Sequence, residues 1–304
     1  MRMKLTWMLG LMLVAHPTAV SDHLLLTDDN KPITTINRAD IQSDIPGVPL
    51  IDDDKYDMLL KKIQPIVYKP PVNAKLDRAG NIISEQPGSQ LNSVLFKEEF
   101  YRTFYNHSQP SIKIPKVAIY PKVDSELLAS VRSKQISHYY TYFNTHNKNR
   151  SHNISLATEA INNQVIFPGE TFSFNRTVGQ RTKEKGYLPA KIIVRGEFSE
   201  GIGGGICQVS STLFNAVDRA GLEVTQRFSH SKTVHYVPPG RDATVSWYGP
   251  DFNFRNNYDQ PLLIRAYAKG STVSIMLFST NDLRYEPKSV PSIQKEDLVP
   301  SAVD

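Results

Sequence analysis

The chain has 304 residues and one cysteine, and that cysteine sits in a chemically specific setting. Gly203-Gly204-Gly205-Ile206 runs directly into Cys207-Gln208. Three consecutive glycines permit positive φ and let another group approach the backbone closely. Beyond them Val209, Leu213, Ala216, Val217 and Ala220 recur at helical spacing, and Gly221 suits a helix stop. Cys207 therefore stands where a glycine loop enters a helix. A helix N-terminus carries partial positive charge, which favours a thiolate and can face a developing oxyanion. A cysteine acyltransferase or hydrolase needs that arrangement. Alternatively, the cysteine is a small buried hydrophobe after a tight turn. A phosphate loop is disfavoured, because no Lys-Ser/Thr pair follows the glycines.

A nucleophilic cysteine needs a base. His230 and His235 follow, five residues apart, so one continuous strand would point them to opposite faces. His230 lies at a junction between two strand candidates and is the favoured base. Asp242 or a backbone carbonyl would orient its ring. Gly204, Gly205 and Gln208 fall on the oxyanion side of the cysteine. Arg181, Arg195 and Arg241 are candidate clamps for a substrate carboxylate, and Ser210 and Tyr236 are further candidate substrate contacts.

The elements that would hold these groups point to an α+β fold: short N-terminal helices and a hairpin module, then a mixed domain with a mainly antiparallel sheet and the Cys-bearing helix. Asp54–Ile63 reads as a helix with an acidic first turn at Asp52-Asp53-Asp54. Residues 70–84 read as a hairpin around Ala79-Gly80-Asn81, and Gly88 starts a helix with Leu91, Val94 and Leu95 on one face. Asp124 to Asn144 reads as one helix, with Leu127, Leu128, Val131, Tyr139 and Phe143 as its stripe, and Asn153 to Asn163 as another. Strands are expected at 112–114, 164–167, 171–174, 191–194, 222–228, 233–237, 243–247, 261–266 and 272–278.

Composition bounds the function. Net charge is +5, 40% of residues are hydrophobic and mean hydropathy is −0.35, so the chain is neither wholly disordered nor a polytopic membrane protein. No basic stripe with interleaved aromatics points to nucleic acid. One cysteine excludes an intrachain disulfide and multi-cysteine metal sites, and His138, His146 and His152 lack ligand spacing, so no cofactor or metal is expected. Arg2, Lys4, an apolar run from Leu5 to Ala15 and the small residues Ala19 and Ser21 read as an export signal over residues 1–21; an uncleaved anchor is the alternative. Residues 22–64 read as an extension, 65–122 as a small module, 123–280 as the Cys-centred domain and 281–304 as a loose tail.

Thr141 to Phe278 resembles the VanW family of bacterial envelope proteins. The matching stretches are Asn153-Ile154-Ser155-Leu156-Ala157, Pro168 through Asn175, Val178 through Thr182, Gly203 through Leu213, His230-Ser231, Tyr236-Val237-Pro238 and Gly240 through Val245. Residues 65–120 are similar to the peptidoglycan-binding module that often precedes this domain. The resemblance implies a wall-associated protein linked to L,D-transpeptidation of peptidoglycan stem peptides, with Cys207 as nucleophile and His230 as the matching histidine. Phe228 stands where the pattern often has a second histidine. A non-catalytic wall-binding or scaffolding protein is the competing expectation, and a thiol peptidase or amidase a third.

Overall fold

The computed structural model describes residues 22–45, 48–106, 111–194 and 197–293; the expected signal and Arg195 lie outside them. Two units are formed, one from residues 22–72 with 86–121 and the other from 73–85 with 122–293. The first joins most of what was divided into an extension and a module, because its residues share one core.

In the first unit β1 (His23–Asp28) and β2 (Lys31–Asn37) form a hairpin turned by Asp29 and Asn30, both at positive φ. Asn37 caps the short α1 (Arg38–Ile41). Asp52 caps α2 (Asp53–Val67), which buries Tyr56, Leu59, Ile63 and Val67 along one stripe. The chain then crosses to the second unit for the hairpin β3 (Lys75–Leu76) and β4 (Ile82–Ile83). It returns with β5 (Gly88–Leu91), α3 (Ser93–Tyr105), β6 (Ser111–Lys113) and β7 (Lys116–Ile119). The helix expected from Gly88 begins only at Ser93, capped by Asn92. Residues 88–91 pair with β7, and the helix buries Phe96, Phe100 and Phe104 while Val94 is exposed. Those three rings outweigh the weaker Leu91–Val94–Leu95 stripe in apolar area.

The second unit is built on the antiparallel sheet β8-β16-β15-β9. Its elements are α4 (Ser125–Val131), β8 (Lys134–Tyr142), α5 (Lys148–Ile161), β9 (Val165–Ile166), β10 (Thr171–Ser173), α6 (Phe174–Val178), β11 (Pro189–Val194), β12 (Glu197–Ile202), α7 (Ile206–Arg219), β13 (Glu223–Gln226), β14 (Asn253–Arg255), β15 (Leu262–Lys269) and β16 (Thr272–Ser279). The single helix expected over 124–144 is therefore corrected to α4 followed by a strand. The helical stripe ends at Val131. From Ser137 burial alternates, with Ser137, Tyr139, Thr141 and Phe143 inward, which is strand periodicity.

Helices α5 and α7 pack on one sheet face and on each other. Leu262, Ile264, Val273, Ile275 and Leu277 meet Ile154, Ala157, Val209, Leu213 and Val217 there. Leu263 turns the other way, into a smaller core with Leu76, Leu128 and Val131. Residues 233–237 and 243–247 form no strand: only Val237 is buried in the first, and in the second Ala243 and Val245 are buried while the backbone finds loop and side-chain partners instead of a ladder. The expected loose tail is corrected over its described part. Leu283 and Val290 are buried, Lys134 Nζ donates to the Leu283 carbonyl, and Tyr139 Oη donates to the Pro291 carbonyl. The fold is α+β.

Candidate active site

Each of the three glycines before α7 has its own steric reason. A Cβ on Gly203, at φ +87°, would lie 3.1 Å from Arg181 Cβ. One on Gly204 would lie 2.5 Å from the Lys191 carbonyl oxygen and 2.7 Å from the Ala190 carbonyl carbon. One on Gly205, at φ +104°, would lie 2.8 Å from Arg150 Cγ. The buried Asn153 side chain fastens the loop: Nδ2 donates to the Leu188 and Gly204 carbonyls, and Oδ1 accepts from Leu188 N. Gly204→Ala pushes a methyl group into main chain that cannot yield, so it should cost about 3 kcal/mol. Urea unfolding checks this.

The loop delivers Cys207 as the second residue of α7, and the flanking Ile206 and Gln208 N–H groups donate back to the Gly203 and Gly205 carbonyls of the loop. Its half-buried Sγ lies 3.5 Å from the Val245 carbonyl and 3.8 Å from Thr244 Oγ1. His230 is the further partner, close enough for each side chain to move the other's pKa. His230 Nδ1 is 2.6 Å from Asp242 Oδ2, and the same oxygen accepts from the His230 backbone N–H at 2.6 Å. This pairing leaves Nε2 for the sulfur.

The electrostatics follow. Burial pushes the thiol up, but hydrogen bonding and charge from His230 bring it below its ordinary value. Burial pulls His230 down, yet Asp242 and Cys207 together raise it to about 9. Burial also opposes the charge on Asp242, and the hydrogen bonds from His230 hold its carboxyl below the usual range. Both shifts act in the direction of a thiolate–imidazolium pair, which holds between the lowered thiol pKa and about 9. Raising pH through about 9 removes the imidazolium proton, so turnover that needs this acid should show an alkaline limb near 9. The charged imidazolium also contributes stability that is complete below its unfolded pKa of roughly 6.5 and fades as pH rises through about 9. A pH–rate profile checks the limb, and an acidic limb alone would contradict it.

Other side chains hold this loop or have tasks elsewhere. Arg227 Nη1 donates to the Gly240 and Asp242 carbonyls. Arg241, a candidate clamp, is occupied within the fold: it donates to Asn215 Oδ1 and Asp218 Oδ2, each at 2.8 Å, and stacks over Phe214. Ser210 is fully buried, its Oγ donating to the Ala243 carbonyl at 2.6 Å. Gln208 is also buried; it accepts from Arg150 and donates to Thr141 and the Tyr142 carbonyl, so it braces the helix start. Tyr236 lies near the thiol and hydrogen-bonds Ser211; burial pushes its hydroxyl far up, which keeps it protonated. His235 is exposed. Arg181 is half-buried beside Cys207, with both terminal nitrogens covered and its guanidinium over the Phe174 ring, 5.8 Å from its centroid. Sequence reasoning did not assign Thr244, Val245, Asn153, Arg150 or Arg227 to this site. Their contacts join segments far apart in the chain; the block Gly240 through Val245 hinted at the first two, and the stretch Asn153 through Ala157 at Asn153.

The VanW like protein family matches residues 149–278, which hold every residue of this cluster. The uncharacterized protein YoaR of Bacillus subtilis (strain 168) is 53% identical over 291 residues, covering 94% of this chain and 96% of YoaR. The vancomycin B-type resistance protein VanW of Enterococcus faecalis (strain ATCC 700802 / V583) is 34% identical over 117 residues, 37% of this chain and 42% of that protein. The chain belongs to the VanW family. No solved structure matches it.

Proposed function

We propose that this protein is an exported cell-envelope enzyme that transfers peptide acyl groups of peptidoglycan through a thioester on Cys207, in the manner of an L,D-transpeptidase. The observation that carries the reading is the Cys207–His230–Asp242 cluster at the start of α7. Family membership, the resistance protein VanW among the relatives and the signal-like residues 1–21 support the envelope setting. No described helix is long and apolar enough to cross a membrane.

The Cys207 thiolate attacks a peptide carbonyl carbon, forming the S–C bond and placing the electron pair on oxygen. The positive N-terminal end of α7 stabilises that oxyanion. Collapse breaks the C–N bond, and His230 gives its proton to the leaving amine. A second amine then attacks the thioester, His230 takes the proton, and the thiolate leaves as a new amide forms. Asp242 holds the imidazole ring and balances its charge throughout.

Mass spectrometry after incubation with stem-peptide muropeptides tests this. The expected result is an acyl adduct on Cys207 and cross-linked dimers. Shortened monomers alone would identify a thiol peptidase or amidase. Absence of an adduct, with full complementation by Cys207→Ser, would identify a non-catalytic wall-binding protein.

A further inference from the structure

Both terminal nitrogens of Arg181 are buried without a hydrogen-bond partner. A guanidinium has five donors in a fixed fork and keeps its charge, so burying it unpaired is costly. Burial does pull its pKa down, and the charges that oppose this are on Cys207, Tyr187 and Asp251. The fold nonetheless makes room for it: Gly203 lacks a side chain where the Arg181 stem passes, and Phe174 lies under the guanidinium. The arginine is thus seated by a glycine of the nucleophile loop and acts electrostatically on the nucleophile itself. Arg241, by contrast, already has its carboxylate partner in Asp218.

We propose that Arg181 is the specificity residue of this site, receiving a carboxylate that the acyl donor carries within about one residue of the attacked carbonyl. This rests on the acyl-transfer reading above and adds the class of donor: a peptide with a free carboxylate there rather than an amide. A carboxylate matches the planar fork in a bidentate way and supplies the missing acceptors. Because the nitrogens are screened from solvent, the donor enters by displacing side chains. The turn at 246–249 adjoins the Arg181 segment: Gln180 Nε2 donates to Oη of Tyr248, which is 88% exposed, at 3.1 Å. The carboxylate is either the C-terminal one or a side-chain one; both present the same two oxygens.

The first test needs no natural substrate. Iodoacetate and iodoacetamide both alkylate a thiolate, forming the S–C bond and releasing iodide, and differ in carrying a carboxylate or an amide beside the attacked carbon. Plateau rates at saturating thiolate are measured for the full chain, Arg181→Gln and Arg181→Lys. The expected result is an iodoacetate-to-iodoacetamide ratio that falls roughly tenfold or more in Arg181→Gln and is partly kept in Arg181→Lys. An unchanged ratio overturns the proposal. So does an equal fall with both reagents, which would mean that the guanidinium serves the sulfur alone. A second arm uses peptide donors as acid and amide pairs, at the C-terminus and at a side chain. Arg181→Gln should erase the preference of kcat/KM for the acid in one pair, which names the source. If both pairs turn over and Arg181→Gln alters neither preference, the proposal falls. If no peptide turns over, the acyl-transfer reading falls, while the alkylation ratio still decides the role of Arg181.

Discussion

Cys207→Ser keeps the fold and loses acyl transfer by roughly 10⁴-fold or more. The half-buried Sγ has the Val245 carbonyl, Thr244 and His230 as polar partners at the edge of the main core, so a smaller hydroxyl leaves the core of α7 in place. What it removes is the anionic nucleophile. His230 and the helix start lower the thiol pKa and so favour the thiolate, but a serine hydroxyl titrates far too high for the same environment to ionise it. Substrate binding should survive, because no binding group is touched. The measurement is kcat and KM on a muropeptide donor beside an unchanged unfolding midpoint. A serine variant retaining a tenth of the wild-type rate would remove the nucleophile role.

His230→Gln is the second large effect. The glutamine keeps a hydrogen-bonding side chain but can hold no proton for the leaving amine. It also deletes the charge that offsets burial of the thiol. Acyl transfer should fall by about 10³-fold. The two variants should not add: Cys207→Ser with His230→Gln should be no slower than Cys207→Ser alone, since the pair acts as one unit. Asp242→Asn belongs to the same unit but leaves a ring acceptor, so its smaller loss should come with a lowered alkaline limb.

Legibility in the sequence followed physical range. The nucleophile was readable because its signal is local: three glycines, a cysteine and a helical period within twenty residues. The acidic first turn of α2 and the hairpin at 75–83 were readable for the same reason. His230 with Asp242 was only partly readable, because the Oδ2–Nδ1 pairing depends on how residues 228–244 are folded back. That fold is held by Arg227 and by the Phe228 carbonyl accepting from Thr244 N, contacts that leave no periodic trace. At 243–247 alternation reported burial of Ala243 and Val245, not pairing. At 134–142 the helical stripe of α4 ran on by chance into aromatic residues that belong to a strand. The tail deceived through composition: two apolar anchors, Leu283 and Val290, bind a polar segment that has no period of its own.

The thiolate–imidazolium pair is the core of this account, and titrating Cys207 by the ultraviolet absorbance of its thiolate tests it most directly. The chain has no other cysteine, so the signal has one source. The predicted result is an apparent pKa below the roughly 8.5 of a free cysteine, rising to that value or above it in His230→Gln, where burial loses the charge that chiefly opposes it. A wild-type value at or above roughly 8.5, or one that His230→Gln leaves unchanged, would contradict it.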